Sequence, residues 1–104
     1  MKQLTIELID GSSILYCYKT IEQLKSLIPG STGIKIGSNV QLGDHIYLSD
    51  GAQIGDNCIL GDYVDIRAGV VIESNVCIGR EVTVQPDIRI ESGAIIAPAT
   101  NVMS

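Results

Sequence analysis

His45 is the only histidine in this 104-residue chain. An imidazole titrates near neutrality, which suits it to take a proton from a hydroxyl or amine as a general base. Stepping eighteen residues at a time from His45 reaches Tyr63, Glu81 and Ala99, and Asp62 immediately precedes Tyr63. If residues eighteen apart stack at the strand spacing of about 4.8 Å, Asp62 can orient the imidazole or raise its pKa, while Tyr63 and Glu81 shape the floor beneath it. Other chemistry is poorly served. Cys17, Cys58 and Cys77 are odd in number and have no metal-ligand spacing, which fits three buried or half-buried thiols in a reducing compartment better than a disulfide framework. No phosphate-binding loop or dinucleotide fingerprint is present, and no metal site is expected.

The elements that would position His45 announce themselves by period. Positions 36, 42, 48, 54, 60, 66, 72, 78, 84, 90, 96 and 102 are all Ile, Leu or Val. Four residues after each come Val40, Ile46, Ala52, Cys58, Val64, Val70, Val76, Val82, Ile88, Ala94 and Thr100, small or β-branched and nearly all apolar. A helix needs apolar spacing near 3.6 and an ordinary strand near 2, so a strict period of six requires short strands joined by tight turns and stacked as a solenoid. Within each hexad the two apolar positions lie two apart and face inward. The residue between them and the one after the aliphatic face outward.

The residue three after each aliphatic sorts into columns eighteen apart. One column reads Asn39, Asn57, Asn75, Gly93 and another Gly33, Gly51, Gly69, Asp87. Gly, Asn and Asp accept a left-handed turn conformation most easily. The third column reads His45, Tyr63, Glu81, Ala99, so two corners are expected to be cut to backbone demand and the third is not. The aspartates Asp44, Asp50, Asp56 and Asp62, one position before the corner residues, read as turn formers bonding their own backbone.

The leading segment differs. "KQLTIELI" alternates apolar and polar residues, "DGSS" is a turn and "ILYCY" a second strand, so Lys2–Tyr18 reads as a hairpin. Thr20 and Gln23 form a capping-box pattern for a short helix with the apolar stripe Ile21, Leu24, Leu27 and Ile28, ended by Pro29-Gly30. Residues 1–29 are expected to cap the unpaired first coil of a repeat domain spanning residues 30–104. The other end has no such cap.

The run from Ile36 to Val82, "IGSNVQLGDHIYLSDGAQIGDNCILGDYVDIRAGVVIESNVCIGREV", resembles the hexapeptide-repeat pattern of the left-handed β-helix superfamily, which includes many bacterial acyltransferases and some non-catalytic members. With the hexads continuing to Val102, the pattern that carries the resemblance covers about two thirds of the chain. It implies an all-β solenoid: a left-handed parallel β-helix of nearly four coils over Ile36–Ser104, with the small hairpin-plus-helix cap, that commonly trimerises. In the acyltransferases of this superfamily active sites lie in grooves between subunits, and a histidine there takes the acceptor's proton.

The outward positions sort by face. One face shows Gln41, Ile59, Cys77 and Ile95, bordered by Gly43, Gly61, Gly79 and Ala97. A second shows Tyr47, Asp65, Thr83 and Asn101 with Ser49, Arg67 and Gln85. The third shows Lys35, Gln53, Val71 and Arg89 with Glu73 and Glu91. Only the first is flat and apolar, and Gln41, Ile59, Cys77 and Ile95 are expected to form the interface of a homotrimer, with His45 at the edge of the groove.

The family's lipid A branch keeps its histidine at the second position after the aliphatic. The residues there run from Ser38 through Asp44, Asp50, Asp56 and Asp62 to Pro98 without a histidine, and Asp50 occupies the expected place. The acetyltransferase branch interrupts its hexads with a long loop over the substrate; here the hexads are unbroken. The net charge of −5 is uneven, with three Arg against nine acids after residue 35, so an anionic donor and nucleic acid alike meet repulsion. A non-catalytic trimeric scaffold or small-ligand-binding protein is therefore the first expectation. An acyl- or acetyl-CoA-dependent transferase with His45 as base, flanked by Asp62, Tyr63 and Glu81, is the alternative, and a fragment or accessory subunit is a third. No cofactor is needed for folding. Glu7 and Asp10 interrupt the opening segment and no apolar run reaches membrane-spanning length, so a cytoplasmic protein without membrane contact is expected.

Overall fold

The computed structural model describes residues 1–103; Ser104, the last residue of the expected repeat domain, lies outside them. Two strands open the chain, β1 (Lys2–Glu7) and β2 (Ser13–Tyr18), followed by helix α1 (Ile21–Leu27) and a 3-10 turn at Gly30–Thr32. The hexads then build three parallel sheets. One contains β3 (Lys35–Ile36), β6 (Gln53–Ile54), β9 (Val71–Ile72) and β12 (Arg89–Ile90). The next contains β4 (Gln41–Leu42), β7 (Ile59–Leu60), β10 (Cys77–Ile78) and β13 (Ile95–Ile96). The last contains β5 (Ile46–Ser49), β8 (Asp65–Ile66), β11 (Thr83–Val84) and β14 (Asn101–Val102).

Every parallel pair among the repeats joins residues eighteen apart, for example Leu42 with Leu60 and Ile54 with Ile72. The fold is thus the expected β-solenoid of about four turns. Leu42, Leu48, Ile54, Leu60, Ile66, Ile72, Ile78 and Val84 point into its axis and are at most 2 % exposed. Ala52, Cys58, Val64, Val70, Val76 and Val82 fill the interior beside them. Burial loosens towards both ends, where Ile34 and Ile36 of the first coil and Ile88, Ala94, Ile96 and Val102 of the last are half-buried. No helix among the described residues is long and apolar enough to cross a membrane.

The hairpin extends one of the three sheets beyond the first coil. β1 pairs parallel with β5, Leu4 beside Ile46 and Ile6 beside Leu48, and β2 pairs antiparallel with β1. Leu4, Ile6, Tyr18 and Leu24 close the end of the core and are all at most 1 % exposed. The Thr20 hydroxyl accepts the Gln23 N–H at 3.1 Å, and the Gln23 carboxamide oxygen accepts the Lys19 N–H at 2.9 Å. The first bond satisfies an amide that the first turn of α1 leaves without a partner, and the second ties the residue before the cap to the same turn. Of the apolar stripe, Leu24 is buried and Ile21 and Ile28 pack against the core, whereas Leu27 stays exposed.

Two expectations about the corners are corrected. The third corner meets the same backbone demand as the others: His45, Tyr63, Glu81 and Ala99 have φ between 56° and 59°, in the left-handed region with Asn39, Asn57 and Asn75. The turn geometry repeats regardless of residue type, because the interior admits only one way round each corner. The aspartates also reach further than their own turns. Asp56 accepts the Ser38 N–H and Asp62 the Asp44 N–H, each at 2.8 Å from one coil earlier. At the first layer, where no coil precedes, Asp44 accepts the Gln3 N–H at 2.7 Å and Asp50 the Ile9 N–H at 3.0 Å.

Glycine before these aspartates has a steric reason. A Cβ at Gly43 would lie 2.4 Å from Asp62 Oδ1, and one at Gly61 would lie 2.7 Å from the Arg80 amide nitrogen and 2.9 Å from the Gly79 carbonyl carbon. Gly61→Ala therefore forces two coils apart and is expected to destabilise the fold by about 1–3 kcal/mol. Gly30→Ala, with no heavy atom within 4 Å of the new Cβ, is expected to change stability by less than about 1 kcal/mol. Urea unfolding of both variants checks this: a Gly61→Ala midpoint no lower than that of Gly30→Ala contradicts the close-approach argument.

Candidate functional site

His45 turns the corner between β4 and β5, and Tyr63 turns the same corner one coil later. Their identical backbone conformation and in-register stacking lay the two rings over each other, centroids 4.8 Å apart and planes 6° from parallel. Such contact is worth about 0.5–1.5 kcal/mol in aromatic pairs. It also fixes the imidazole plane, because a ring packed face to face cannot rotate freely. Side chains in the left-handed region cost roughly 1–2 kcal/mol relative to the right-handed one, less for Asn. His45, Tyr63 and Glu81 carry that cost in three successive layers at one edge, where asparagine serves the neighbouring corner.

The carboxylate beside the imidazole belongs to Asp44. Its Oδ2 lies 3.5 Å from His45 Nδ1, while its Oδ1 accepts the Gln3 N–H and, at 2.9 Å, the His45 N–H. The Gln3 amide, with help from the His45 amide and ring and the N-terminal ammonium, holds the Asp44 carboxyl below the usual carboxylate range. His45 Nδ1 is closed off from solvent and has no aligned hydrogen bond, so Asp44 Oδ2 is the acceptor it faces and Nε2 is the nitrogen left for a ligand. Behind the corner, the Tyr18 hydroxyl is buried without a partner. Burial, and secondarily the charge of Asp44, pushes it up to about 12, so Tyr18 serves as a neutral wall.

Among the residues singled out in the sequence, His45 and Tyr63 are brought into contact. Asp62 is adjacent in space but occupied: its Oδ1 holds the Asp44 N–H, so it supports the residue that faces the imidazole. Glu81 stands exposed one coil beyond Tyr63, with Oε1 3.9 Å from Arg80 Nε. Asp44 was read only as a turn former. Its second role depends on β1 docking against β5 and delivering Gln3, a long-range pairing with no local signature; its place next to the only histidine was the one available hint.

The apolar face adjoins this corner as expected. Gln41, Ile59, Cys77 and Ile95 stack in register along β4, β7, β10 and β13. All four are exposed, Ile59 to 44 % and Ile95 to 81 %. The face of Lys35, Gln53 and Val71 forms a shallow groove of about 590 Å³ that also includes Glu73, Arg89 and Ser92. There Arg89 pairs with Glu73, whose carboxyl this contact and the Ser92 N–H hold down. Arg67 lies 3.0 Å from Asp65. Each arginine of the repeats therefore has a carboxylate neighbour, and none offers an unopposed positive charge to a polyanion.

Asp44 links the corner to acid stability. Because its folded pKa lies below the unfolded value of about 4, its contribution is present above that value and lost as pH falls through the folded pKa. Asp44→Asn, which retains an acceptor oxygen, is expected to flatten the decline of the urea midpoint between pH 5 and 2.5 relative to wild type. Parallel curves for the two proteins would show that the carboxylate charge does not hold β1 in place.

A family model described as "Bacterial transferase hexapeptide (six repeats)" matches residues 33–73, which span the first two coils and include both Asp44 and His45. No curated protein and no solved structure matches the chain. The family match over residues 33–73, the unbroken hexads on either side of its limits and the three-sheet solenoid together support a hexapeptide-repeat β-helix, similar to the acyltransferase-like repeat proteins of the left-handed β-helix superfamily.

Proposed function

We propose that the protein is a non-catalytic homotrimer assembled on the Gln41–Ile59–Cys77–Ile95 face, with the His45 corner lining an intersubunit groove that holds a small ligand. The in-register ladder of exposed apolar side chains beside that corner carries this reading. Fully burying one isoleucine is worth roughly 1.5–3 kcal/mol. Ile59 and Ile95 from three copies thus supply association energy against the loss of rigid-body freedom. Each arginine of the repeats lies beside a carboxylate, which favours a scaffold or binding role over transfer from a phosphate-bearing acyl donor. Exposed Cys17 and Cys77 would persist as thiols in a reducing compartment, in keeping with a cytoplasmic protein.

Sedimentation velocity tests the assembly. The wild-type chain is expected to sediment as a trimer and the Ile59→Asp/Ile95→Asp variant as a monomer, with far-UV circular dichroism unchanged. A monomeric wild type, or a variant that remains trimeric, refutes the interface.

A second reading, acyl transfer, is favoured by the Asp44–His45 pair. With Nδ1 facing the carboxylate, Nε2 would take the proton from an acceptor hydroxyl or amine as its oxygen or nitrogen attacks a thioester carbonyl. The C–S bond would then break and the departing thiolate would receive the proton. Neither acetyl-CoA nor a longer acyl-CoA is required by the first reading. On that reading, millimolar acetyl-CoA, offered with simple hydroxyl and amine acceptors, releases no thiol above the buffer rate in either wild type or His45→Ala. Acceptor-dependent thiol release by wild type that His45→Ala abolishes would replace the first reading with the second.

A further inference from the structure

We propose that β2 recognises its own copy: two chains pair their β2 strands antiparallel, cap to cap, with Leu15 of one opposite Leu15 of the other. The contact belongs to the hairpin end of the prism and needs neither the Ile59 face nor His45.

Sheet register decides which backbone groups are open. β1 and β2 pair with Lys2 opposite Tyr18 and Ile6 opposite Ile14, and in an antiparallel ladder hydrogen-bonded pairs alternate with non-bonded ones. The Leu8 N–H donates to the Ser12 carbonyl at 2.7 Å, just past the last pair. Ile6–Ile14, Leu4–Tyr16 and Lys2–Tyr18 are therefore the bonded pairs. On β1 the intervening residues turn to β5, as the Glu7 carbonyl does in accepting the Asp50 N–H. On β2 they are Ser13, Leu15 and Cys17, whose N–H and C=O groups point to the open side, because β2 is the last strand of its sheet. Among the described residues these groups have no partner. Helix α1 closes the edge only beyond Cys17, where the Gln23 carboxamide takes the Lys19 N–H.

Edge strands are usually blunted by charge, proline or shortness. β2 has six residues, SILYCY, with no charge and no proline. Ser13, Ile14, Leu15 and Cys17 are exposed, Leu15 to 56 %. The opposite edge of the same sheet is β14, with only two residues, so a second copy matches β2 best with its own β2. Two-fold pairing about Leu15 sets Ser13 against Cys17 and satisfies every open N–H and C=O of both strands; a shift by two residues either way leaves some unpaired. Charge agrees with this direction. Asp10 precedes the strand and Lys19 follows it, so reversal brings Lys19 of each copy towards Asp10 of the other, while the uncharged strands place no like charges across the axis. The contact is small, and a dissociation constant of about 0.1–1 mM is expected. It is dissociated at the roughly 10 µM at which the Ile59→Asp/Ile95→Asp chain is to be sedimented.

Disulfide trapping between two forms of the full chain tests the register. Both carry Cys77→Ser, and Cys58 is buried; one form keeps Cys17, and the other has Cys17→Ser with Ser13→Cys. Opposed residues of a bonded pair lie about 5.5 Å apart, within disulfide reach. Like cysteines of two identical forms lie four residues, about 13 Å, out of register. Under copper–phenanthroline oxidation at about 0.5 mM protein, near the expected dissociation constant, the mixture is expected to give at least about tenfold more disulfide-linked dimer than either form alone. Leu15→Lys in both forms sets two ammonium groups across the axis at an exposed site and is expected to cut that yield about tenfold, with far-UV circular dichroism unchanged. The link is expected to persist when Ile59→Asp and Ile95→Asp are added to both forms. No excess of dimer in the mixture, or a yield indifferent to Leu15→Lys, would overturn the proposal. Loss of the link in the Ile59→Asp/Ile95→Asp forms would assign the contact to the trimer face and overturn it equally.

Discussion

The left-handed residue at every sixth position is the constraint on which this molecule rests. A two-residue strand must turn through a corner and return in register after eighteen residues, and only one backbone geometry achieves this while keeping both apolar positions of each hexad inside. The same φ recurs at Asn39, His45, Tyr63 and Ala99 although their side chains have nothing in common. Intrinsic preference is a weak prior beside this demand: a left-handed Tyr or Glu costs roughly 1–2 kcal/mol, less than the burial that an entire coil gains by closing. The corner residue is then free to vary chemically, since geometry no longer depends on it. That freedom lets one edge of a repetitive scaffold differ from the other two.

The aspartates extend the same logic between coils. Asp56 and Asp62 bind amides one layer earlier, over glycines whose missing Cβ leaves room for the carboxylate. At the first layer the partners become Gln3 and Ile9 of the hairpin. A device that holds coil to coil therefore also seats the cap, and in doing so it fixes Asp44 next to His45. The candidate site is in this sense a by-product of the first coil lacking a predecessor: β1 supplies the amide, Asp44 is anchored by it, and the imidazole is presented to the anchored carboxylate.

What was legible in the sequence follows the range of the interactions involved. The hexad register, the inward aliphatics and the hairpin and helix of the cap rest on local pattern, and each is found as expected. The stacking of His45 on Tyr63 was legible too, because the eighteen-residue period converts sequence distance into spatial distance. Two features were not. Corner geometry was inferred from residue type, which misled at His45, Tyr63 and Glu81 because the closed coil overrides local preference. The partner of His45 was sought one coil away at Asp62. Asp62 is instead occupied by the Asp44 N–H of the preceding coil, and Asp44, anchored by the Gln3 amide of β1, takes the place beside the ring; no period in the sequence encodes how a hairpin delivers that amide.

The three edges of the prism therefore carry different potential. The asparagine edge is cut to backbone demand and presents nothing else of note. The glycine edge, after β5, is backbone-minimal at the corner itself, so the hairpin turn can lie close above it and enclose a cleft around Ser49 and Asp50. The His45 edge keeps bulky side chains at the same conformational cost, beside the face that exposes Ile59 and Ile95. A solenoid whose interior is uniform must place any specificity on its edges and at its ends, and here both unusual edges lie at the first coil, where the hairpin interrupts the symmetry of the repeat. Function in such a fold is expected where the repeat is broken, because only there do side chains meet surroundings that the other coils do not reproduce.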